Sequence, residues 1–125
     1  MRAILVDPIA KTVTEVDCSG HIHDVDGVPG IYTLTDVNIL TVVMLTHRNL
    51  ETMYLDDEGL LKENHFFLFG EYPQPLAGKG LILGTDDSGD CAPSALSVEY
   101  VKSRVAFLGG PQDMSHLATF EIYSF

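Results

Sequence analysis

Two histidines separated by one residue carry the clearest metal-binding chemistry in the sequence. His21 and His23 would share one side of an extended segment, and Asp24 and Asp26 follow directly. Neutral imidazoles with a carboxylate are ligands for zinc and other transition metals. A third protein ligand would come from His47, His65 or His116. A solvent-exposed polar loop explains the same pattern, so we keep a metal-dependent hydrolase using His21, His23 and Asp24 as an alternative function.

A short basic loop between two glycines is a second candidate. Gly78 and Gly80 flank Lys79, so a cationic side chain lies among backbone amides that could receive an anion. The P-loop spacing is missing, and a strand rather than a helix is predicted to follow. A plain turn also explains the glycines, but Lys79 is one of only seven cationic residues. We therefore predict a pocket for a small anionic ligand such as a nucleotide, lined by Tyr72, Gly78, Lys79 and Gly80.

Nucleophilic and acid–base chemistry has weaker support. Cys18 is close in sequence to His21 and His23, but a catalytic dyad requires contact in space. Ser94 and Ser97 belong to no nucleophile motif. Adjacent carboxylates such as those at positions 86 and 87 point apart on a strand and are explained by a turn. We expect no catalytic residue and no cofactor, and a protein that acts by binding.

Length and charge narrow the class of protein further. A chain of 125 residues fits one globular domain over residues 1–125. Its formal net charge of -11 repels nucleic acids and anionic membrane surfaces, although an acidic inhibitor that imitates DNA is a further alternative. Cys18 and Cys91 lack the density of a disulfide framework, and the apolar runs are too short to span a membrane. We expect a cytoplasmic protein with reduced thiols.

Short apolar runs separated by Gly, Asp and Pro predict the strands that would position these residues. Ala3 to Val6 and Lys11 to Val16 predict a first hairpin, and Ile39 to Thr46 predicts the central strand. Phe66 to Phe69 predicts a strand buried on both faces. Because strands outnumber helices without regular alternation, we predict an α+β fold with a mixed or mainly antiparallel sheet of about six or seven strands.

One helix and one terminal strand complete the prediction. Four apolar residues recur at spacings of three, four and three: Val98, Val101, Val105 and Leu108. This period predicts one clear helix over about residues 97–108, packed on the sheet and capped by Ser97 or Ser94. The alternating run Leu117 to Phe125 predicts a strand at a sheet edge. We expect a homodimer that pairs through this C-terminal strand.

Several segments together resemble a family of short uncharacterised proteins found mainly in phages and mobile elements. The matching segments are AILVDP at 3–8, residues 57–60, 77–78, 83–84 and 87–90, and 96–105. They cover most of residues 1–108 loosely, and the broken segment 20–30 departs from the longer first helix of such proteins. The matching residues are turns and core positions, so no catalytic residue is carried over. The resemblance implies a cytosolic accessory protein acting on a host system.

Overall fold

The computed structural model describes residues 1–36, 40–46, 51–56, 65–70 and 75–108. Nine strands and two helices lie within these residues: β1 (Arg2–Asp7), β2 (Thr12–Asp17), α1 (Ile31–Thr35), β3 (Leu40–Thr46), β4 (Glu51–Asp56), β5 (Phe66–Phe69), β6 (Leu76–Ala77), β7 (Gly80–Thr85), β8 (Cys91–Ala92), α2 (Val98–Arg104) and β9 (Val105–Phe107). This is an α+β fold in which strands predominate. None of the helices in these ranges is long and apolar enough to cross a membrane.

The strands form two sheets. The larger has the order β2-β1-β7-β4-β3, with β8 paired to the end of β7, and the smaller has the order β6-β5-β9. Every strand pair that the structure describes is antiparallel. The predicted class and the mainly antiparallel pairing are confirmed. The prediction of one sheet was wrong, because β5 joins a separate sheet and packs Phe67 and Phe69 into the core cluster that contains Met53 and Ile82 of the larger sheet.

The strand at the centre of the larger sheet is β7. It lies between β1 and β4, and Leu81, Ile82 and Leu83 are fully buried. Ile82 enters one core cluster, whereas Leu81 and Leu83 enter another, so both faces of β7 are covered. Ile39 to Thr46 was predicted to be central, but its described part, β3, ends the strand order, and Val42 is 57% exposed. Continuous apolar character alone therefore did not identify the central strand.

The first hairpin is confirmed. β1 pairs with β2 from Arg2↔Asp17 to Asp7↔Thr12. The Asp7 carboxylate starts the turn by accepting hydrogen bonds from the amides of Ile9 and Ala10, at 3.0 and 3.2 Å. Lys11 closes the turn in the left-handed region, with φ of 58°.

Helix α2 is shorter than predicted. Ser97 caps its start, since Ser97 Oγ accepts a hydrogen bond of 3.0 Å from the Tyr100 amide. The helix ends at Arg104, and residues 105–107 form β9, where Val105 and Phe107 are opposite Phe69 and Phe67 of β5. The predicted helix to residue 108 was wrong because Val105 and Phe107 also fit the two-residue period of a strand. Pairing with β5 supplies hydrogen-bond partners that a longer helix would have supplied within itself.

Candidate functional site

The described residues form an open depression of about 820 Å³. The chain before α1 forms one wall, and Val42 of β3 and Tyr54 of β4 form another. Asp90 and Cys91, at the turn into β8, close a third side. Because these residues come from distant parts of the chain, the depression exists only in the folded protein.

The wall before α1 is held by backbone hydrogen bonds within residues 19–32. The Ile31 and Tyr32 amides donate to the carbonyl groups of His21 and Ile22, at 2.9 and 3.1 Å. Asp26 and the following glycine, with φ of 51° and 81°, form the tight turn of a small hairpin. Gly30 passes so close to the His23 carbonyl that a Cβ would collide with it. This compact wall turns residues 21–23 toward the depression.

The three residues predicted to bind a metal, His21, His23 and Asp24, do not all lie in the depression. His21 and His23 are both exposed and both line the depression. The His23 ring also meets the Tyr32 ring edge to face, with centroids 5.7 Å apart. Asp24 Oδ1 instead accepts hydrogen bonds from the Gly30 amide at 2.8 Å and Thr33 Oγ1 at 2.7 Å. These bonds hold the pKa of Asp24 below its ordinary value, and they hold the carboxylate at the start of α1.

A third metal ligand is missing from the described ranges. Within them, no group of three or more His, Cys, Asp or Glu side chains is placed to hold a metal ion. His65 precedes β5 in the smaller sheet, and His47 and His116 lie outside the described residues. A metal-dependent hydrolase therefore stays a prediction from the sequence.

Two neighbouring polar groups lie in the depression. The Tyr54 hydroxyl and Cys91 Sγ are 3.6 Å apart and form a hydrogen bond. Burial, reinforced by this bond, raises the pKa of Tyr54 well above its ordinary value, so the phenol stays protonated. Cys18 packs into the same cluster as both residues, and burial raises the pKa of its thiol. Tyr54 and Cys91 line the depression, whereas Cys18 has no exposed surface and belongs to the core.

Exposed apolar side chains are concentrated around this polar pair. Seven large hydrophobic residues are exposed in the described parts of the chain, and three of them, Met1, Ile22 and Val42, line the depression. Single exposed apolar residues are ordinary, but a contiguous group marks a binding surface.

The loop around Lys79 offers less to an anion than the sequence suggested. The Gly78 amide donates a hydrogen bond of 2.8 Å to the His65 carbonyl, so it is engaged within the protein. Gly80 belongs to β7, where a Cβ would press against Met53 Sδ and Phe67 Cζ. The fourth predicted member, Tyr72, lies outside the described residues. An anion pocket at Lys79 stays a prediction.

The sequence offered few signals for the residues that do converge. Tyr54 and Cys91 belong to no motif in the sequence, and nothing there pairs one with the other. No protein-family model, curated protein or solved structure matches the chain. The resemblance to phage and mobile-element proteins therefore stays a prediction, and the geometry of the depression is the basis for a function.

Proposed function

We propose that this chain is a non-enzymatic binding protein that holds a small organic ligand in the depression beside Tyr54 and Cys91. The convergence of exposed Ile22 and Val42 around one polar pair is the observation that carries the proposal. Small-molecule sites are concave and mostly apolar, contain a few placed polar groups, and occupy roughly 300–1,000 Å³. The depression, at about 820 Å³, falls in this range.

The residues that line the depression also indicate which class of ligand it would bind. Its described residues include Asp90 but no Lys or Arg, the Met1 ammonium is paired with the Asp17 carboxylate, and the chain carries a net charge of -11. An anionic group would be repelled there. Either atom can donate in the Tyr54–Cys91 hydrogen bond, and when the Cys91 thiol donates, the Tyr54 hydroxyl hydrogen is available to an acceptor on the ligand. The ligand that fits best is uncharged, with a ring or alkyl body and one hydrogen-bond acceptor.

This proposal fits the accessory role implied by the family resemblance. A phage-type, cytoplasmic protein that binds a protein partner, and a homodimer through Leu117 to Phe125, stay proposals from the sequence alone. The latter segment lies outside the described residues.

A neutral apolar dye tests the depression directly. Nile red fluorescence is expected to rise saturably with wild-type protein and to reach one dye per chain. Val42→Lys and Ile22→Lys place a charge on the apolar wall and should weaken binding about tenfold or more, because the bound dye would cover that charge and leave it without a partner. Ile9→Lys is the matched control, since Ile9 is 60% exposed in the first hairpin turn and is not among the residues lining the depression.

Three outcomes would overturn the proposal. They are no saturable dye binding, equal loss in the Ile9→Lys control, or unchanged binding in both wall variants. Thermal unfolding of each variant should show a melting temperature close to that of the wild type, so that lost binding is not lost folding.

A further inference from the structure

A second concavity, a groove of about 380 Å³, lies between the first hairpin and the α2–β9 junction. Lys11 and Thr12 line it from the hairpin, Lys102 from α2, and Val105 and Phe107 from β9. Its lining residues differ from those of the depression, so a ligand bound here would be independent of the proposed function.

Packing of α2 on β2 brings the two lysines to the same groove. Val13 of β2 and Val101 of α2 are both buried in the larger core cluster, and Val105 packs against it. Lys102 directly follows Val101, and Lys11 precedes Val13 by two residues. The packing of α2 on β2 therefore brings the chain positions of Lys11 and Lys102 to the same groove.

The groove is a cationic site in an acidic protein. It contains two of the seven cationic residues of the chain, and no carboxylate is among its described lining residues. Both lysines are exposed, and neither forms an ion pair with another described residue. Arg2, by contrast, is engaged with Glu15 and with backbone carbonyl groups. The lysine charges are thus available to an anion from solution.

One further feature of the groove fits a ligand that carries a ring. Val105 and Phe107 are only partly buried and give the groove an apolar wall. A ring can pack against such a wall while an attached anion meets the lysines.

We propose that this groove binds an aromatic phosphate monoester, of which a nucleoside monophosphate is one example. The phosphate would lie between Lys11 and Lys102, which supply ammonium donors, with the hydroxyl groups of Thr12 and Thr14 nearby. The ring would lie against Phe107. The site is distinct from the loop at Lys79, where the sequence alone had suggested an anion.

Titration calorimetry at low ionic strength with four probes tests the ligand class. AMP and phenyl phosphate should each bind at one site, about tenfold more tightly than inorganic phosphate, because they add ring contacts to the same charge pair. Adenosine, which lacks the phosphate, should give no measurable heat. Tighter binding of AMP than of phenyl phosphate would identify a nucleotide as the source of the phosphate, and the reverse order a smaller aryl phosphate. No heat with either ester, or equal binding of adenosine and AMP, would overturn the proposal.

Charge-removing variants locate the site. Lys11→Gln and Lys102→Gln should each weaken AMP binding about fivefold to tenfold, in keeping with the loss of one charge-assisted contact at an exposed site. Lys79→Gln removes the same charge elsewhere and should leave affinity within about twofold. Equal weakening by all three variants would show a general charge effect, and weakening by Lys79→Gln alone would place the anion at the predicted loop. Either result overturns the proposal.

Discussion

Glu51 is the most deeply buried acidic side chain among the described residues, with 1% of its surface exposed. Its carboxylate accepts a hydrogen bond of 2.5 Å from Ser94 Oγ and one of 3.1 Å from the Ala95 amide. On the paired strand, Gly84 leaves room for it, since a Cβ there would lie 3.2 Å from Glu51 Oε2. Ser94, considered from the sequence as a nucleophile, is thus 5% exposed and helps to anchor the chain before α2 to β4.

Removing this carboxylate should destabilise the fold. Glu51→Ala is expected to lower the free energy of unfolding by about 2–4 kcal/mol, because the Ser94 hydroxyl and the Ala95 amide lose a buried acceptor. Glu51→Gln keeps one acceptor oxygen and should cost about half as much. Urea unfolding measures both values. The exposed Glu99→Ala is the control and should cost less than about 1 kcal/mol. An equal cost for Glu51→Ala and Glu99→Ala would contradict this account.

Among the secondary-structure elements, the junction between α2 and β9 determines which side chains line the groove. The Arg104 carbonyl accepts a hydrogen bond of 2.7 Å from the Gly70 amide, which ties the end of the helix to the end of β5. The chain then continues as β9 along β5. Lys102 and Phe107 consequently line the same groove. A helix continued to residue 108 would have lacked this pairing.

The start of α2 depends on one hydroxyl group. Ser97→Ala should lower the free energy of unfolding by about 1 kcal/mol, because the Tyr100 amide loses its side-chain acceptor. Ser97→Asp supplies another acceptor with a charge suited to a helix N-terminus and should restore wild-type stability to within about 0.5 kcal/mol. Urea unfolding followed by circular dichroism compares the three proteins. If the Asp variant is as unstable as the Ala variant, capping is not the reason.

For the molecule as a whole, one core cluster joins the two sheets. It contains Ile4 of β1, Met53 of β4, Phe67 of β5 and Val101 of α2, each with no exposed surface. Neither sheet can lose this contact without exposing apolar surface of the other. We therefore expect the two sheets to unfold together.

Phe67 is the residue that tests this coupling. Phe67→Ala should cost about 3–5 kcal/mol, and the protein should still unfold in a single transition by circular dichroism and by tyrosine fluorescence. Leu68→Ala, in the same strand but with Leu68 37% exposed, should cost less than about 1.5 kcal/mol. Two separate transitions, or equal costs for the two variants, would show that the sheets do not share one core.

Local structure was largely predictable from the sequence. The two short runs Ala3 to Val6 and Lys11 to Val16 predicted the first hairpin, and Ser97 before an apolar period predicted a capped helix start. The exposure of His21 and His23 was also expected for a polar, glycine-broken segment. These features depend on interactions between residues a few positions apart, so the order of residues is enough to specify them.

Only the tertiary structure decided which strands share a sheet and which distant side chains meet. β7 is central because β1 and β4 pair with its two edges, and both of its faces are covered, which no run of residues can show by itself. Tyr54 meets Cys91, and Lys11 shares a groove with Lys102, through strand pairing and helix packing across most of the chain. The sequence by itself determined local features such as the first hairpin and the start of α2, whereas burial and pairing over the whole molecule determined where α2 ends and the two concavities where we place ligands.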